Sequence, residues 1–441
     1  MRPQRTLLLI LSWTIFTTAA RAQEAASPAP QALSLEQAVA LAWEHSPYLE
    51  AMRQEVPAAR ARLAQARAQG RLMATTSTFL TAGTMMGNVT GTDPVSPRAI
   101  LSVPNAAAAD QNLMIMYPLS TGGRIGAQVA AATAETRAAE AELDMALLEV
   151  AYAVREAYWT VLLDRELVSV QEQNLTAQRE RLAVDQAALE VGKIPQYYVL
   201  RDQAETADAE QMLTNAQRDL DNALLGLRSV MGLDLQTPVE LTQPLAGAKA
   251  DLPDADSSVA TALQSRPDLV AALARLEAAR LGISARRSAY RPQVSAALMA
   301  DAFKMSGEEP GGGYNVGIVA SLPLLDGGMR AAEVAEATAM AARLEAEVRS
   351  QRLEVERQVR SALLDLQAAQ RNMQTAQAAQ AAAEEDYRVA LVRYQAGKAI
   401  NLEPIEALNT LVRSRTNLAQ ATFESLLSRD ALNRATGLVV Q

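Results

Sequence analysis

The chain of 441 residues contains no cysteine, one histidine and few aromatic residues, which make up 4% of the sequence. Without cysteine it forms no disulfide, no thiol nucleophile and no cysteine-ligated zinc or iron–sulfur site. We also expect no lipid anchor attached to cysteine. The single histidine, His45, is too few for a histidine-based metal site. These absences exclude most metal, redox and nucleophilic chemistry.

Phosphate-binding and catalytic motifs are lacking as well. The pairs Gly192-Lys193 and Gly397-Lys398 are not P-loops, because neither has the upstream glycine or the following Ser or Thr of that motif. The three glycines at 311–313 lead into a predicted strand and indicate a turn. We therefore expect a protein that is not an enzyme and that binds no cofactor or metal ion.

The residues that are abundant favour helices. Alanine supplies much of the 49% hydrophobic content, whereas phenylalanine occurs only four times. Alanine mixed with Leu, Gln, Glu and Arg is typical of long helices packed side by side. After the N-terminal region, no stretch has the roughly 18 consecutive apolar residues of a membrane-spanning helix. The composition thus predicts helices without a large aromatic core.

The N-terminal residues have the three parts of a secretory signal peptide. Two arginines precede an apolar run at 7–16, and a cleavage pattern of small residues follows at 20–22. We predict a signal peptide over residues 1–22. Its removal leaves 38 basic against 50 acidic residues, a net charge of −12. Such an acidic exported protein is not expected to bind nucleic acid, which requires clustered Lys and Arg.

The chain consists of two copies of one structural unit. Three landmarks recur at an offset of 205 residues. Pro118-Leu119 with Gly122-Gly123 recurs as Pro323-Leu324 with Gly327-Gly328. Gly192-Lys193 recurs as Gly397-Lys398, and Gly232-Leu233 recurs as Gly437-Leu438. Upstream, Pro47 matches Pro267 at an offset of 220, so the first copy holds 15 additional residues. We assign them to a surface loop within 87–110. The predicted organisation is a first repeat over 23–242, a linker over 243–256 and a second repeat over 257–441.

Each repeat is predicted to contain helix, two strands, a very long helix, a turn and a last helix. Ser34 with Gln37 forms a capping box before the first helix. Alternation of apolar with small or polar residues predicts strands. These strands lie at about 73–86 and 111–118 in the first repeat and at about 293–305 and 314–323 in the second.

The long helices follow from a change of period after the strands. A heptad seam runs through Leu143, Leu147, Val150, Val154, Ala157 and Val161. No Gly or Pro interrupts residues 127–191, and Gly192 then supplies a stop. We predict helices over about 124–191 and, at the same offset, over about 329–396. Each would be roughly 100 Å long at 1.5 Å per residue.

Two architectures are compatible with these elements. If the apolar strand faces meet lipid, the sheet must close so that every backbone group is paired. Four strands are fewer than the about eight of the smallest outer-membrane barrels, so several chains would have to share one barrel. The alternative is a soluble periplasmic coiled-coil adaptor or scaffold with a small β-module. The periodicity alone leaves both open.

The ordered landmarks resemble the TolC-like outer-membrane efflux protein family, the outer-membrane factors of tripartite efflux pumps and type I secretion. The likeness rests on the duplicated plan, the strand ends that feed Gly-Gly, and the Val191-Gly192 and Ala396-Gly397 turns. It implies an α+β membrane protein in which a homotrimer forms a 12-stranded outer-membrane β-barrel, continued by a periplasmic α-helical barrel. It implies as partners outer-membrane lipid, a periplasmic adaptor (membrane fusion) protein and an inner-membrane transporter.

The resemblance also assigns roles to residues at the two ends of the long helices. It implies a swivel from strand to helix at Pro118, Gly122, Gly123, Pro323, Gly327 and Gly328. It implies an adaptor-docking tip at Val191, Gly192, Lys193, Ala396, Gly397 and Lys398. For the tip glycines, a plain helix cap is the structural alternative.

The resemblance further implies a periplasmic gate near the second tip. Glu403 and Glu406, three residues apart, share a helix face and would give a ring of six carboxylates in a trimer. Such a ring favours cations. Solvated surface glutamates are the alternative. Tyr394 completes the second-repeat set, and Tyr198 and Arg201 stand at the matching first-repeat positions. Arg201 is a candidate partner of Glu403 or Glu406.

Overall fold

The computed structural model describes residues 31–89, 99–247, 252–305 and 309–438. The predicted signal peptide, 1–22, lies outside the described residues. The first repeat contains, in chain order, β1 (Gln31–Leu33), α1 (Leu35–His45), α2 (Pro47–Ala68), β2 (Met73–Val89), β3 (Ala99–Ser120), α3 (Arg124–Glu190), α4 (Gln196–Met231) and β4 (Val239–Leu241). The second contains α5 (Ala255–Ser265), α6 (Pro267–Arg287), a 3₁₀ turn (Ser288–Tyr290), β5 (Gln293–Met305), β6 (Gly311–Ser321), α7 (Met329–Gln395) and α8 (Leu402–Thr436).

The two repeats have the same internal geometry. The long helices α3 and α7 are both 67 residues long and begin 205 residues apart. Met73 lies opposite Met116 in the β2–β3 pair, and Gln293 lies opposite Ser321 in the β5–β6 pair. These two rungs are related by the offsets of 220 and 205 that the sequence landmarks have. The strand register therefore follows the duplication residue by residue.

The four long strands form one antiparallel sheet in the order β2-β3-β5-β6. Its central pair, β3 and β5, joins the first repeat to the second. Within the described residues, β2 and β6 are the two edges of this sheet. A separate two-stranded parallel sheet pairs β1 with β4.

The strands are longer than the sequence predicts. The first repeat's second strand begins at Ala99 instead of about 111, and most of the predicted loop at 87–110 belongs to β2 and β3. Residues 90–98 lie outside the described residues. The three glycines at 311–313 are also part of β6, opposite Phe303, Ala302 and Asp301, instead of a turn. These small residues contribute little side-chain packing. They extend the strands because pairing with a neighbouring strand satisfies their backbone hydrogen bonds.

The predicted linker at 243–256 extends past the start of the next helix, α5. Asp254 caps α5 by accepting a 2.9 Å hydrogen bond from the Ser257 amide, so the helix begins at Ala255. This cap is equivalent to that of Ser34, which forms the predicted capping box with Gln37. Hydrogen bonding to the Ser257 amide lowers the pKa of the Asp254 carboxyl. Satisfying the free amides of the first turn is what sets the helix start.

The main core surrounds the middle of α3. Tyr158 is fully buried, and its hydroxyl donates a 3.1 Å hydrogen bond to the Leu33 carbonyl at the end of β1. Trp159 packs edge-on against it with ring centroids 5.6 Å apart. Val154 and Val161 of the heptad seam are buried in the same cluster. The core therefore holds α1, α3, α4 and the small β1–β4 sheet together. Among the helices in the described ranges, none has the length and apolarity needed to cross a membrane.

Candidate functional site

The turns from strand to helix lie at one end of α3 and α7. In the first turn Gly122 and Gly123 have φ of 62° and 94°, a region that favours glycine. A Cβ on Gly122 would lie 2.7 Å from the Cβ of Arg291. The Arg291 guanidinium donates a 3.2 Å hydrogen bond to the Gly122 carbonyl. The second repeat therefore packs against the first turn and requires glycine there.

The second turn has the same backbone but a different environment. Gly327 and Gly328 have φ of 64° and 91°, yet a Cβ on Gly327 would meet no atom within 4 Å. Asp326 accepts hydrogen bonds of 3.1 Å from the amides of Gly328 and Arg330. The Arg330 side chain also binds this carboxylate, and these bonds lower the pKa of Asp326. Local hydrogen bonds thus fix this turn without help from the other repeat.

The prolines that precede the two turns differ in their position relative to the strands. Pro118 lies inside β3, opposite Ser295, next to a register shift. Pro323 lies two residues beyond the end of β6. A missing amide and a fixed φ suit the end of a ladder. The six residues of the predicted swivel therefore all stand at the junction of strand and helix, and their movement stays a prediction.

The opposite ends of the long helices carry the predicted docking residues. Gly192 and Gly397 have φ of 73° and 69°, and a Cβ on either would meet nothing within 4 Å. The amides of Lys193 and Lys398 close the helix ends with 2.9 Å hydrogen bonds to Ala188 and Arg393 carbonyls. Val191 is 67% exposed. Both turns, with Ala396, are thus open to solvent.

The predicted gate residues do not form one cluster within a protomer. Glu403 forms a 3.5 Å ion pair with Arg393 of the preceding helix, whereas Glu406 is exposed. The suggested partner Arg201 binds neither carboxylate among the described ion pairs, and Glu403 pairs with Arg393 instead. Tyr198 is half-buried and packs on Tyr197 at 4.4 Å between ring centroids.

Tyr394 belongs to a buried contact that the sequence did not indicate. Its hydroxyl donates a 2.7 Å hydrogen bond to Oδ1 of Asp185 on α3, and Asn401 donates a 2.6 Å hydrogen bond to Oδ2. Asp185 and Asn401 are each only 1% exposed. One carboxylate of the first hairpin (α3 and α4) thus binds two side chains of the second hairpin (α7 and α8). We call these three residues the latch.

A buried ion pair lies beside the latch. Arg181 donates hydrogen bonds of 3.0 and 2.8 Å from Nε and Nη2 to Oδ1 of Asp202. This pair joins α3 to α4. Burial raises the pKa of Asp202 to about 6, although Arg181 acts in the opposite direction. The neighbouring Asp185 adds to the rise through a side-chain hydrogen bond and through repulsion between the two carboxylates when both are charged. Burial and Asp185 likewise raise the pKa of Tyr394.

Sequence reasoning missed Asp185, Arg181, Asp202 and Asn401 because charged and amide side chains usually face water. The only signal was indirect, since Tyr394 was already selected and a buried tyrosine hydroxyl needs a partner. The structure therefore places Tyr394 in the latch and leaves Glu406 at the surface. Within the described residues, no group of three or more His, Asp or Glu side chains is placed to hold a metal ion.

Comparison with known proteins gives one consistent result. A family model described as outer membrane efflux protein matches residues 38–233 and 259–438, one segment in each repeat. The outer membrane efflux protein BepC of Brucella suis is 26% identical over 290 residues, or 65% of this chain and 62% of the relative. Toluene efflux pump outer membrane protein TtgF of Pseudomonas putida is 31% identical over 191 residues, or 42% of this chain and 38% of the relative. The chain thus spans less than two thirds of the length of these curated relatives.

Solved structures match over a larger share of the chain. The outer-membrane channel OprN superposes with a TM-score of 0.78 at 22% identity, covering 91% of this chain and 89% of OprN. The outer membrane protein VceC of Vibrio cholerae gives 0.77 at 20% identity, covering 91% of this chain and 96% of VceC. At these identities the likeness shows the fold of the chain.

Proposed function

Because its two repeats match that family model, the chain belongs to the outer membrane efflux protein family, and on this premise we propose that it is the exit duct of an efflux pump or type I secretion system. One observation carries the proposal. A single chain joins an open four-stranded sheet to two helices of 67 residues each. This pairing suits a channel whose strands lie in the outer membrane and whose helices form a tunnel across the periplasm.

Exposed apolar strand residues support placement of the sheet in lipid. Tyr314, Val316 and Ile318 of β6, with Phe79 and Leu80 of β2, are each more than two thirds exposed. Backbone groups in lipid must be paired, so the two open edges have to find partners. Three copies supply twelve strands, which exceeds the about eight of the smallest outer-membrane barrels. A homotrimer with one shared barrel meets both requirements.

The tips of the hairpins are the proposed docking surface for a periplasmic adaptor, which links the duct to an inner-membrane transporter. Gly192 and Gly397 present bare backbone at open turns, and Lys193 and Lys398 stand beside them. Bare glycine backbone permits close approach of a partner. Replacing Gly397 by Trp should therefore abolish crosslinking to the adaptor and leave the oligomer intact. Unchanged crosslinking would refute the docking role.

Glu403 and Glu406 are the proposed gate. Three copies would place six carboxylates around the tunnel end, and such a ring attracts cations. Glu403→Gln combined with Glu406→Gln should lower cation selectivity and sensitivity to divalent cations in single-channel recordings. Glu424→Gln, remote from the tip on the same helix, is the matched control. Equal selectivity of both variants and the unmodified channel would remove the gate assignment.

The cargo is proposed to be selected elsewhere in the pump. Relatives carry names as different as nickel-cobalt-cadmium resistance protein NccC and toluene efflux pump outer membrane protein TtgF. A duct that serves such different compounds needs no dedicated binding site of its own. Loss of the chain should therefore sensitise cells to whatever its partner transporter exports.

Membrane fractionation tests the function against its main alternative, a soluble periplasmic scaffold. The duct should sediment with the outer membrane and require detergent for release. Cells lacking the chain should accumulate an exported dye, and expression of the chain should restore its efflux. Recovery of the chain in the detergent-free periplasmic fraction would contradict the proposal.

A further inference from the structure

The two faces of the four-stranded sheet carry different residues. Alternate residues of a strand point to opposite faces, and residues that lie directly opposite each other on neighbouring strands share a face. One face, which we call the apolar face, includes Leu113, Ile115, Leu298, Tyr314, Val316 and Ile318. The other, which we call the polar face, includes Ser77, Asn112, Asp301 and Asn315. In a membrane barrel the apolar face suits lipid and the polar face suits a water-filled lumen.

Four methionines lie next to one another on the polar face. Met73 of β2 lies opposite Met116 of β3. Met114, two residues before Met116 on the same face, lies opposite Met299 of β5. The Cβ atoms of opposite residues are about 4.5–5.5 Å apart, and residues two apart along a strand are separated by roughly 7 Å. We call these four residues the methionine patch.

Packing does not account for methionine at these positions. Met73 and Met299 are 50% and 42% exposed, and Met114 and Met116 are half-buried. Over residues 73–82, 110–118, 293–303 and 311–321 all four methionines lie on the polar face, whereas the apolar face carries Leu, Ile and Val instead. Leucine fills nearly the same volume as methionine. Exposed thioethers on the face that suits water therefore indicate a role for the sulfur atoms.

A thioether sulfur is a soft and uncharged ligand. Soft sulfur ligands favour Cu(I), whereas Mg²⁺ and Ca²⁺ take oxygen ligands. Methionine supplies all the sulfur of this chain, which has no cysteine. Two residues along each strand from the Met114–Met299 pair, Asn112 lies opposite Asp301. A carboxylate beside a lumen favours cations. The patch and its neighbour thus suit a soft cation of low charge.

We propose that the methionine patch binds a soft monovalent cation, Cu(I) or its analogue Ag(I), in the lumen of the barrel. The inference rests on the proposed function for the lumen alone, because all four methionines belong to the sheet of one chain. Three copies would place twelve thioethers, four from each, around the passage. The one histidine lies at the end of α1, so neither thiolate nor imidazole strengthens the site. Weak binding lets the ion move on, and the transporter still selects the cargo.

Silver binding by the detergent-solubilised chain tests the patch without a redox step, because Ag(I) is stable in air. Equilibrium dialysis against silver nitrate in chloride-free buffer measures the affinity. Met114→Leu combined with Met299→Leu should weaken the tightest binding at least about tenfold, since loss of an outer-shell partner alone costs roughly 10- to 100-fold at metal sites. Leucine keeps the apolar volume, so the variant should fold. Excess Ca²⁺ should not displace the silver, because it prefers oxygen ligands.

Met212→Leu combined with Met340→Leu is the matched control. These methionines of α4 and α7 are 52% and 50% exposed and lie outside the sheet. Equal silver binding by the patch variant and the unmodified chain, or a loss in the control instead, would overturn the proposal. Methionine methyl signals of the unmodified chain give a second reading by NMR. Those of Met114 and Met299 should shift at lower silver concentrations than those of Met212 and Met340, and the reverse order would contradict the site.

Single-channel recordings in potassium nitrate test the position of the site in the lumen. Silver should reduce the conductance of the unmodified channel and leave that of the Met114→Leu, Met299→Leu channel unchanged. Both channels should conduct equally before silver is added, because leucine and methionine fill similar volumes. Equal silver block of the two channels would overturn the lumen site. Block by toluene without block by silver would show that the patch receives apolar solutes, and it would overturn the metal assignment.

The outcomes separate this inference from the proposed function. Channels that form normally but bind no silver at the patch overturn the inference alone. A chain that forms no outer-membrane channel contradicts the proposed function and the position in a lumen, while dialysis of the detergent-solubilised chain still decides whether the patch binds silver. Silver block that requires Met114 and Met299 supports the site whatever cargo the duct carries.

Discussion

The first and second helical hairpins have helices of nearly equal length but different polar interiors near their tips. In the first, Arg181 and Asp202 form a buried ion pair with side chains 6% and 0% exposed. The counterparts in the second are the exposed Asp386 and the buried Ala407. The length of the hairpin helices therefore does not depend on the ion pair. The first hairpin therefore has a buried ion pair near its tip that the matching positions of the second hairpin cannot form.

Ion pairs on the hairpin surface behave differently. Arg179 and Glu210 pair at 2.7 Å in the first hairpin, and the same two positions hold Glu384 and Arg415 in the second. The charges are exchanged but the contact remains. Exposed pairs tolerate such exchange because water screens both charges, whereas a buried pair has a fixed environment.

The latch adds a second asymmetry. Asp185 binds Tyr394 and Asn401 between the two hairpins of one chain. The counterpart of Asp185 in the second hairpin is Ala390, which has no side-chain group to accept a hydrogen bond. The second hairpin therefore has no carboxylate at the position that forms the latch.

Removing Arg181 should have the largest effect. Arg181→Ala leaves the buried Asp202 without its cation, so we expect local destabilisation of the first hairpin by about 3–5 kcal/mol. Hydrogen exchange of α3 and α4 amides near Lys193 measures it. The double variant Arg181→Leu with Asp202→Leu should restore most of the loss, because it replaces the pair by apolar groups. An equally unstable double variant would show that the pair is not the cause.

The pKa of Asp202 predicts a pH effect of intermediate size. Its folded-state pKa of about 6 lies above the ordinary value, so the folded hairpin binds the proton more tightly than the unfolded one. The resulting stability is fully present below about pH 4 and is lost as the pH rises through about 6. A rise of the Asp202 pKa from 3.8 to about 6 corresponds to about 3 kcal/mol of stability.

Asp202→Asn separates the contribution of this carboxyl to stability from that of all other carboxylates. The stability difference between the unmodified chain and the variant should move in favour of the unmodified chain as the pH falls from about 6 to 4. Exchange rates at several pH values, corrected for intrinsic chemistry, provide the comparison. A difference that stays constant over this range would contradict the raised pKa.

Loss of one latch hydrogen bond should have a smaller effect. Tyr394→Phe removes the 2.7 Å bond to Asp185 but keeps the ring in place. A bond to a buried charged acceptor is worth about 1.5–3 kcal/mol. We expect faster exchange where the two hairpins meet, with little change near Gly232. Tyr387→Phe, which removes a hydroxyl on the same helix outside the latch, is the control.

The smallest effect is expected at the exposed pair. Arg179→Ala should change the stability of the first hairpin by only about 0.2–1 kcal/mol. Exchanging the charges, with Arg179→Glu and Glu210→Arg, should be neutral because the second hairpin already has that arrangement. Thermal melts of the detergent-solubilised oligomer report both. A loss as large as that of Arg181→Ala would erase the distinction between surface and buried pairs.

Local signals predicted some features and failed for others. The glycine at each tip, Gly192 and Gly397, takes positive φ where a long helix ends, as its chemistry favours. The strand over 99–110 was missed because its Ala, Pro and Asn residues have little alternation of their own. Its partner β2 supplies the pairing. Asp185 could not be distinguished from a solvated helix residue, because its hydrogen-bond partners lie more than 200 positions away.

The sequence by itself determined the duplication, the period of the helices and the glycine turns, because each depends on residues that are neighbours in the chain. Only the tertiary structure decided which charges are buried. It turned Asp185 towards Tyr394, brought Arg291 onto the Gly122 turn and left the Gly327 turn bare. These outcomes depend on which repeat lies on which side, and two copies of one pattern acquire different surroundings once they pack against each other.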